Sequence, residues 1–341
     1  MKRICALALL VALSLSLFGC DRTVVDPEPK NKIIYEYFDT VTVIYDYSGS
    51  SDDSFVKLCA ELESQLRYYH ELFDIYHTYE GVANIAYLNS MAGKGAVKVS
   101  DELIDFLEYA KEVYTLTDGY MNIAMGAVLS IWHEHRTEGL RDPKNATLPA
   151  MSALTEAAKH TDINKLVINR AAGTAELTDE KMSLDVGALA KGYAAERLAD
   201  YLYENDMMHY ALDVGGNLRV VGDKPSGSGW QTGVRNPVGS GYAYKFTLKD
   251  SSAVTSGGYE RYYTVDGKRY HHIIDKDTLM PAEHLASVTV IYPDSGLADA
   301  LSTALFCMEY DGGADIIRSL DGARAVWVFN DGTVKTIGFD N

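Results

Sequence analysis

The sequence contains little cysteine, and none of it is paired. Of the four cysteines, Cys5 and Cys20 lie near the N-terminus, while Cys59 and Cys307 stand alone in the rest of the chain. Two isolated cysteines provide neither a disulfide framework nor a zinc site of the usual spacing. Cys307 lies in the apolar run ALFCM, which predicts a small buried side chain.

Basic residues are scarce as well. The chain has 31 lysines and arginines against 48 aspartates and glutamates, which gives a formal net charge of −17. Nucleic acid and anionic lipid headgroups both require a basic surface, so this balance excludes them as main partners. An anionic ligand would therefore need a locally positive pocket or a bound cation.

The N-terminal segment has the form of a secretion signal. Lys2 and Arg3 precede about fifteen mainly apolar residues, too few for an ordinary membrane-spanning helix but typical of a signal peptide. The four residues ending at Cys20 resemble the lipobox of bacterial lipoproteins, which predicts cleavage before Cys20 and lipidation of its thiol. Phe18 is bulkier than usual at its position, so a simple signal peptide is the alternative.

This interpretation divides the chain into three parts. Residues 1–19 are predicted to be a lipoprotein signal peptide, and the polar, proline-bearing residues 20–32 a lipid-anchored tether. Residues 33–341 suffice for one large domain or two closely packed subdomains with a substantial core. We expect the protein at the cell membrane on its extracytoplasmic side, which is the periplasmic face if two membranes are present.

Helix and strand patterns alternate irregularly along this domain. The segment Tyr37–Tyr47, with alternating β-branched and aromatic residues, predicts a first strand, and the second half is richer in strands. No repeating strand–helix–strand unit is present, which favours an α+β fold with mixed sheets and packed helices. The helices are predicted at residues 54–76, 101–116, 126–132, 151–160, 189–204, 299–308 and 312–319. Residues 136–147 are expected to form a surface excursion.

The segment DVGALAKGY, from Asp185 to Tyr193, predicts a strand end, a turn of small residues and the start of a helix. Backbone N–H groups at a helix start, together with the Lys191 ammonium, are suited to bind a phosphate. The segment matches neither GxGxxG nor the GxxxxGK pattern of nucleotide-binding loops. A tight turn with a solvated Lys191 is therefore the alternative.

Asp299 and Thr303 are spaced four residues apart in a helical pattern. Such a spacing places a carboxylate and a hydroxyl on one face of the helix. Hard oxygen ligands of this kind, completed by a backbone carbonyl and phosphate oxygens, suit Mg²⁺. The structural alternative is an aspartate that favours the helix dipole and a threonine that bonds back to its own helix.

His271 and His272 follow a strand-like segment and precede Ile273. A histidine near a ligand pocket can act as a general base at neutral pH. For His271 we favour the alternative of a polar strand end with the histidine facing solvent. The Gly215-Gly216 pair is expected to form a turn, although glycines also permit close approach of a ligand.

Taken together, these segments resemble the ApbE family of flavin transferases between about Tyr37 and Trp327. The resemblance rests on their order and spacing rather than on any single one. The matching segments are DTVTV, Asn89 in AYLNSMAG, TDGYMNIAMG, LDVGALAKGYA, DVGGNLRVVG, TSGGYERYY, HHIID and ADALSTALF.

The resemblance implies a fold and a reaction. The fold would be T-fold-related, with a ligand cleft between two intimate subdomains. Such enzymes use Mg²⁺ to cleave FAD and pass its FMN moiety to a threonine of an acceptor protein, releasing AMP. The acceptors would be membrane electron-transfer subunits. An FAD pyrophosphatase that forms FMN and AMP, and a non-catalytic FAD-binding lipoprotein, are the alternatives.

The resemblance also implies roles for individual residues. The backbone carbonyl of Ala188, the carboxylate of Asp299 and the hydroxyl of Thr303 would bind the metal, and Lys191 would neutralise charge. His272 would deprotonate the incoming threonine. Residues expected to contact FAD are Phe38, Tyr76, Tyr120, Met121, Asn122, Asp185, Lys191 and Ile273.

Some positions depart from the family pattern. Asn122 replaces an acid, Phe38 replaces the usual methionine, and Lys276 replaces the proline after IID. An amide in place of a carboxylate changes the hydrogen-bonding sense of that contact. These departures concern the flavin contacts and leave the predicted metal ligands unchanged.

Overall fold

The computed structural model describes residues 25–339. The predicted signal peptide and Cys20 lie outside the described residues. Strand β1 begins at Lys30, so the last three residues of the predicted tether belong to the folded domain.

The described residues form fifteen strands and eight α-helices. The strands are β1 (Lys30–Ile34), β2 (Thr42–Asp46), β3 (Val97–Lys98), β4 (Leu166–Asn169), β5 (Thr174–Leu177), β6 (Tyr210–Val214), β7 (Asn217–Val221), β8 (Trp230–Arg235), β9 (Tyr242–Leu248), β10 (Ser252–Gly257), β11 (Tyr262–Val265), β12 (Lys268–His271), β13 (Leu285–Tyr292), β14 (Arg324–Phe329) and β15 (Val334–Ile337). The helices are α1 (Asp52–Phe73), α2 (Ile85–Ser90), α3 (Asp101–Leu116), α4 (Gly126–Arg141), α5 (Met151–Ala157), α6 (Ala190–Glu204), α7 (Ser295–Cys307) and α8 (Tyr310–Ser319).

An eight-stranded sheet organises the molecule. Its strand order is β1-β2-β6-β7-β10-β13-β14-β15, and every neighbouring pair is antiparallel. Smaller sheets are the three-stranded β3-β5-β4 and the hairpins β8-β9 and β11-β12. Antiparallel sheets with helices packed on them define an α+β fold, so the predicted fold class is confirmed.

Helices cover one face of the large sheet. Residues of α1 and α6 pack on β1, β2, β6 and β7, and residues of α7 pack on β10, β13 and β14. The other face packs against the hairpin β8-β9 through Trp230, Val234 and Phe246.

Helix α7 is buried on both sides. Leu301 and Leu305 pack towards the large sheet, whereas Ala300 and Ala304 pack into a second core around α3 and the three-stranded sheet. Small residues on that side allow the two parts of the molecule to approach closely. The pattern Asp299–Thr303 therefore lies where the two parts meet.

Two local predictions were wrong. Helix α4 continues to Arg141, so the expected surface excursion from residue 136 begins as helix. Gly139 is buried there, and a Cβ at this position would lie 2.5 Å from the Tyr263 ring, so the glycine is a packing contact rather than a helix end. The strand-like segment before His271 is not one strand but two, because β11 and β12 pair as a hairpin around a turn at residues 266–267.

The strand predicted at Tyr37–Tyr47 is shorter and is not the first, because residues 37–40 form a turn before β2 and β1 precedes it. The other predictions hold to within a few residues. Helix α3 begins after Ser100, whose side chain accepts a hydrogen bond from Leu103 N–H as a cap. Cys59 and Cys307 are both buried free thiols, as expected for Cys307. No helix in residues 25–339 combines the length and the apolar character needed to cross a membrane.

Candidate functional site

The carboxylate of Asp299 lies buried in the second turn of α7. Its Oδ2 accepts hydrogen bonds from the backbone N–H of Gly192 at 2.8 Å and the amide of Asn217 at 3.0 Å, and lies 3.5 Å from Lys191 Nζ. These donors converge on one oxygen, so Oδ1 has no hydrogen-bond donor among residues 25–339. Burial raises the pKa of the Asp299 carboxyl, while Lys191 and the two hydrogen bonds act in the opposite direction.

The hydrogen bond from the Gly192 N–H to Asp299 changes the start of helix α6. In a regular helix the Gly192 N–H would bond to the carbonyl of Ala188, four residues earlier. Because it donates to Asp299, the Ala188 oxygen has no hydrogen-bond donor in the described part of the chain. Such an unpaired carbonyl at a helix start is available to a cation.

Lys191 is held over this turn. Its Nζ donates to the Gly187 carbonyl at 3.2 Å and its side chain is 22% exposed, so the solvated-lysine alternative is wrong. The predicted turn into a helix is confirmed. The expected strand before Asp185 is not: residues 182–186 have no regular secondary structure and belong to none of the sheets in residues 25–339.

The side chain of Asn89 fixes this segment at Leu184. Its side chain donates to the Leu184 carbonyl at 2.9 Å and accepts from the Leu184 N–H at 2.7 Å. This two-fold pairing replaces the missing sheet partner and sets the position of Asp185 next along the chain.

Thr303 lies one turn after Asp299 on α7, as predicted. Its hydroxyl is 3.1 Å from Ser256 Oγ on β10. Ser302 instead donates back to the Asp299 carbonyl of its own helix at 2.9 Å. The alternative of a back-bonded Thr303 is therefore wrong, and its hydroxyl faces the same strand end as Ser256.

These groups form a donor set that fits Mg²⁺. A free carbonyl at Ala188, a carboxylate oxygen at Asp299 and a hydroxyl at Thr303 are hard ligands that leave coordination positions for phosphate oxygens. In residues 25–339, no three histidine, cysteine, aspartate or glutamate side chains lie together in a way that could hold a metal. A cation shared with a ligand agrees with both observations.

Tyr76, His133 and Asp185 form a second group of contacts. The Tyr76 hydroxyl lies 3.3 Å from His133 Nδ1, and His133 Nε2 lies 3.8 Å from Asp185 Oδ2. Asp185 Oδ1 also accepts from the Gly187 N–H at 3.0 Å, which joins this group to the turn below Lys191. Burial is the main cause that lowers the pKa of His133, which favours the neutral ring.

His272 is half-buried at the end of β12. Its Nδ1 lies 3.2 Å from the Arg261 carbonyl oxygen, which can only accept, so the proton is on Nδ1 and Nε2 carries the free lone pair. Burial, with Arg261 and Arg136 nearby, lowers the pKa of His272 to about 3. The ring is therefore neutral at physiological pH.

His271 has a structural environment. Its Nε2 lies 2.8 Å from the Ala282 carbonyl, and its ring meets Phe306 edge-on at 5.5 Å. The preferred interpretation of a strand end is confirmed, but the ring is half-buried rather than solvent-facing.

A cavity of about 370 Å³ lies beside Asn122 and is lined also by Tyr114, Lys276 and Asp277. Asn122 itself is engaged: its Oδ1 accepts from the Ala124 N–H and its Nδ2 donates to the Thr161 carbonyl, both at 2.9 Å. The volume lies at the lower end of ordinary ligand pockets, so the cavity suits a nucleoside rather than a whole dinucleotide.

Tyr120, Met121 and Ile273 are three further residues predicted to contact FAD. Tyr120 donates to Asp277 at 3.1 Å, with Lys276 Nζ 4.4 Å from the centre of its ring. Met121 is 3% exposed and Ile273 6% exposed, so these two side chains can present little surface to a ligand.

Phe38 has an uncommon backbone conformation. Its φ is 57° and that of Asp39 is 50°, a left-handed pair that costs roughly 1–2 kcal/mol per residue. The Phe38 N–H donates to His70 Nδ1 at 3.3 Å, and Arg261 donates to the Asp39 carbonyl at 3.3 Å. These contacts hold the strained turn next to the His272 region.

The structure thus brings together Lys191, Asp299 and Thr303, and links Asp185 to Tyr76 through His133. It places Asn122 on the wall of a separate cavity, and Tyr120 donates to Asp277 of the same wall. The sequence interpretation missed Gly192, Asn217, Ser256, His133 and Arg136. The segment WHEHR was a usable signal for the last two, because it places polar side chains on a helix that is otherwise apolar at its start.

The fold and these groups define a class: an α+β protein in which a backbone carbonyl, a carboxylate and a hydroxyl lie beside a lysine at the junction of two helices. A sequence model of the ApbE family matches residues 39–327. That span is well over half of the 341 residues. The chain therefore belongs to the ApbE family.

Individual relatives agree with this assignment. An FAD:protein FMN transferase of Treponema pallidum is 34% identical over 267 residues, which are 74% of this chain and 72% of the relative. An FAD:protein FMN transferase of Klebsiella pneumoniae is 30% identical over 278 residues, 80% of this chain and 82% of the relative.

Solved structures agree with the fold. The ApbE protein of Thermotoga maritima has a TM-score of 0.78 at 26% identity, over 90% of this chain and 96% of that one. The flavinyl transferase ApbE of Pseudomonas stutzeri has a TM-score of 0.74 at 23% identity, over 92% of this chain and 95% of that one. The second likeness shows the fold alone.

Proposed function

We propose that this chain is an FAD:protein FMN transferase that moves the FMN moiety of FAD to a threonine hydroxyl of an acceptor protein and releases AMP. The proposal is supported by family membership and by the names of the Treponema and Klebsiella relatives. The observation that carries it is the group of oxygens at Ala188, Asp299 and Thr303, with Lys191 beside them.

We further propose that Ala188, Asp299 and Thr303 hold Mg²⁺ together with the diphosphate of FAD. When bound, the cation neutralises the phosphate oxygens at which negative charge develops during transfer. The hydrogen bonds from Gly192 and Asn217 fix the Asp299 carboxylate, so its free oxygen needs no reorganisation to bind the cation. Lys191 adds a positive charge on the side of the Gly187 turn.

His272 is suited to accept the proton of the threonine. The threonine oxygen forms a bond to the phosphorus of the FMN moiety, the bond from that phosphorus to the oxygen of AMP breaks, and the threonine proton moves to His272 Nε2. Because the ring is neutral and its proton is on Nδ1, Nε2 is free to accept the threonine proton. Positioned bases contribute typically ~10²–10⁴-fold, with the largest effects when their pKa lies near the operating pH.

The exposed ring of Tyr76 provides a surface on which the flavin can stack. Its side chain is 62% exposed although it lies within reach of Asp185 through His133. Phe38 and Tyr120 are the other aromatic residues proposed to contact FAD. We propose the adenosine half for the cavity beside Asn122, because its volume matches a nucleoside.

We also propose that the protein works on the extracytoplasmic side of the cell membrane, anchored through lipid on Cys20. The basic, apolar and cysteine-terminated start of the chain supports this. The acceptor would then be a membrane electron-transfer protein with a threonine exposed on the same side.

The proposal is tested by incubating the full chain with FAD, Mg²⁺ and an acceptor protein that carries a target threonine. We expect covalent flavin fluorescence on the acceptor and an equal amount of AMP, both lost in Asp299→Asn and retained in the control Asp315→Asn on the surface of α8. AMP release without any acceptor would instead indicate a pyrophosphatase. FAD binding without AMP in any condition would indicate a binding protein.

A further inference from the structure

Two arginines near His272 have no carboxylate partner. Within residues 25–339, the side chains of Arg136 and Arg261 form no salt bridge, although the chain carries 48 acidic residues. Arg136 is half-buried on α4, whereas Arg261 is exposed just before β11. A half-buried arginine without a partner is costly unless a ligand supplies the anion.

Contacts place the two arginines in one cluster with two histidines. A narrow cavity is lined by His133, Arg136 and His272. His272 is held by the carbonyl of Arg261, through both its ring and its backbone N–H. Burial lowers the pKa of Arg136, and the positive charge of Arg261 lowers it further. Two like charges so near each other are stabilised by an anion between or beside them.

This basic cluster is continuous with the oxygen site. His133 lies 3.8 Å from Asp185, Asp185 accepts from the Gly187 N–H, and Gly187 accepts from Lys191. On the other side, Gly258 lies against the His271 ring, two residues after Ser256, which contacts Thr303. The arginine cluster is thus linked through side-chain and backbone contacts to both His272 and the oxygen site.

We propose that Arg136 and Arg261 bind the diphosphate of FAD beside His272. The inference rests on the proposed function and names a contact that binds the substrate. Guanidinium groups match phosphate geometry with paired hydrogen bonds and keep their charge at any physiological pH. Binding the diphosphate also relieves the repulsion between the two arginines.

The test compares ligands with and without phosphate. FAD and riboflavin share the isoalloxazine ring, but only FAD has the diphosphate, so their affinities separate charge recognition from flavin stacking. Each affinity is measured by flavin fluorescence on the full chain, without Mg²⁺ and with it. The variants are Arg136→Gln and Arg261→Gln, with Arg141→Gln on the same helix and Arg269→Gln on the same hairpin as matched controls.

We expect each of the two variants to weaken FAD binding by about 10- to 100-fold, the range for a charge-assisted hydrogen bond, with riboflavin affinity unchanged. The controls should match the parent protein. Arg136→Lys and Arg261→Lys, which keep the charge, should restore part of the loss. Thermal unfolding of each variant checks that it is folded, and the lysine variants carry the test if a glutamine variant does not fold.

Three results would overturn the inference. If the variants weaken the binding of FAD and of riboflavin equally, the arginines have a structural role and do not recognise the diphosphate. Unchanged FAD affinity with a raised KM for the acceptor would assign them to an acidic group of that protein. Both results leave the proposed transferase intact if the parent protein binds FAD and transfers FMN. A parent protein that binds no FAD would remove the proposed function and this inference together.

Discussion

The backbone N–H of Gly192 donates to Oδ2 of Asp299 at 2.8 Å, and this contact prepares two oxygens at once. It occupies one carboxylate oxygen and leaves the other free, and it withdraws the donor that would pair with the Ala188 carbonyl. Helices α6 and α7 are joined at the same point. The close packing of these helices and the proposed cation site are therefore consequences of one hydrogen bond.

Gly192→Ala should disturb both packing and metal binding. A Cβ at this position would lie 2.4 Å from the Asp299 Cβ and 2.4 Å from the Ser295 carbonyl oxygen. Because neither neighbour is the end of a flexible side chain, we expect a loss of about 1–3 kcal/mol in unfolding free energy. Thermal and urea unfolding measure it. Gly312→Ala on α8 meets nothing within 4 Å and should not destabilise the protein; equal effects of the two changes would refute the packing argument.

Asp299→Asn should remove the charge that binds the cation while keeping the shape of the side chain. The amide oxygen can still accept from Gly192, so we expect the fold to persist. Loss of a group in a metal site costs ~10–100-fold even when the group acts through another ligand, and a direct ligand should cost at least that. AMP release measured against Mg²⁺ concentration checks this. Activity equal to the parent at saturating Mg²⁺ would show that Asp299 is not a ligand.

The low pKa of His272 predicts an unusual pH dependence of catalysis. A histidine with an ordinary pKa would lose its base form below about pH 6.5. Since the pKa of His272 in the folded protein is about 3, its base form persists through the mildly acidic range. We therefore expect that kcat/KM for FMN transfer does not fall near pH 6.5 because of His272. The pH profiles of the parent protein and of His272→Gln should have the same shape in this range. A fall in kcat/KM near pH 6.5 that is present in the parent protein and absent in His272→Gln would mean that the ring titrates normally.

The same shift predicts how stability depends on pH. Between pH 6.5 and pH 3 the unfolded chain binds a proton at His272 that the folded chain does not bind. Stability from this group is therefore present above pH 6.5 and is lost as the pH falls. His272→Gln should flatten the fall in melting temperature between pH 7 and pH 5, although His133 and His271, whose pKa values are also lowered, keep part of it. An unchanged slope would contradict the assignment.

Tyr76 is expected to act through its ring rather than its hydroxyl. Tyr76→Phe removes the contact with His133 but keeps the stacking surface, so flavin affinity should change little. Tyr76→Ala should weaken both FAD and riboflavin by about 0.5–1.5 kcal/mol, the range for an aromatic pair. Fluorescence titration measures these affinities. Tyr35→Ala, which removes a similarly exposed tyrosine at 67% exposure, serves as the control and should have no effect.

Cys20→Ser tests the proposed anchor. A serine has no thiol to lipidate, so the protein should move from the membrane fraction to the soluble extracytoplasmic fraction after cell disruption, with the activity of the domain retained. Retention in the membrane fraction would show that another feature holds the protein there.

Local patterns in the sequence predicted the fold class and much of the candidate site. The spacing of Asp299 and Thr303 placed both on one helix face, and the small residues from Asp185 to Lys191 indicated a turn into a helix. These inferences succeed because period and turn chemistry are properties of adjacent residues. The order of the large sheet did not follow, because pairing of β7 with β10 joins strands whose contacts depend on the whole chain.

Long-range contacts within the site could not be predicted either. The Gly192 N–H meets Asp299 across 107 positions, and a backbone donor has no sequence signature. Arg136 and Arg261 come together only because α4 packs on the hairpin that begins near Arg261. The same packing, through Gly139 and Tyr263, made residues 136–141 helical where a surface excursion was expected.

The central claim is that Ala188, Asp299 and Thr303 hold a divalent cation against the diphosphate of FAD. Crystals of the protein grown with FAD and Mn²⁺, which scatters anomalously, test it most directly. We predict an anomalous peak within coordination distance of the Ala188 carbonyl, a carboxylate oxygen of Asp299 and the Thr303 hydroxyl, with two or more phosphate oxygens completing the shell. A peak elsewhere, or bound FAD with no cation at these three residues, would contradict the account.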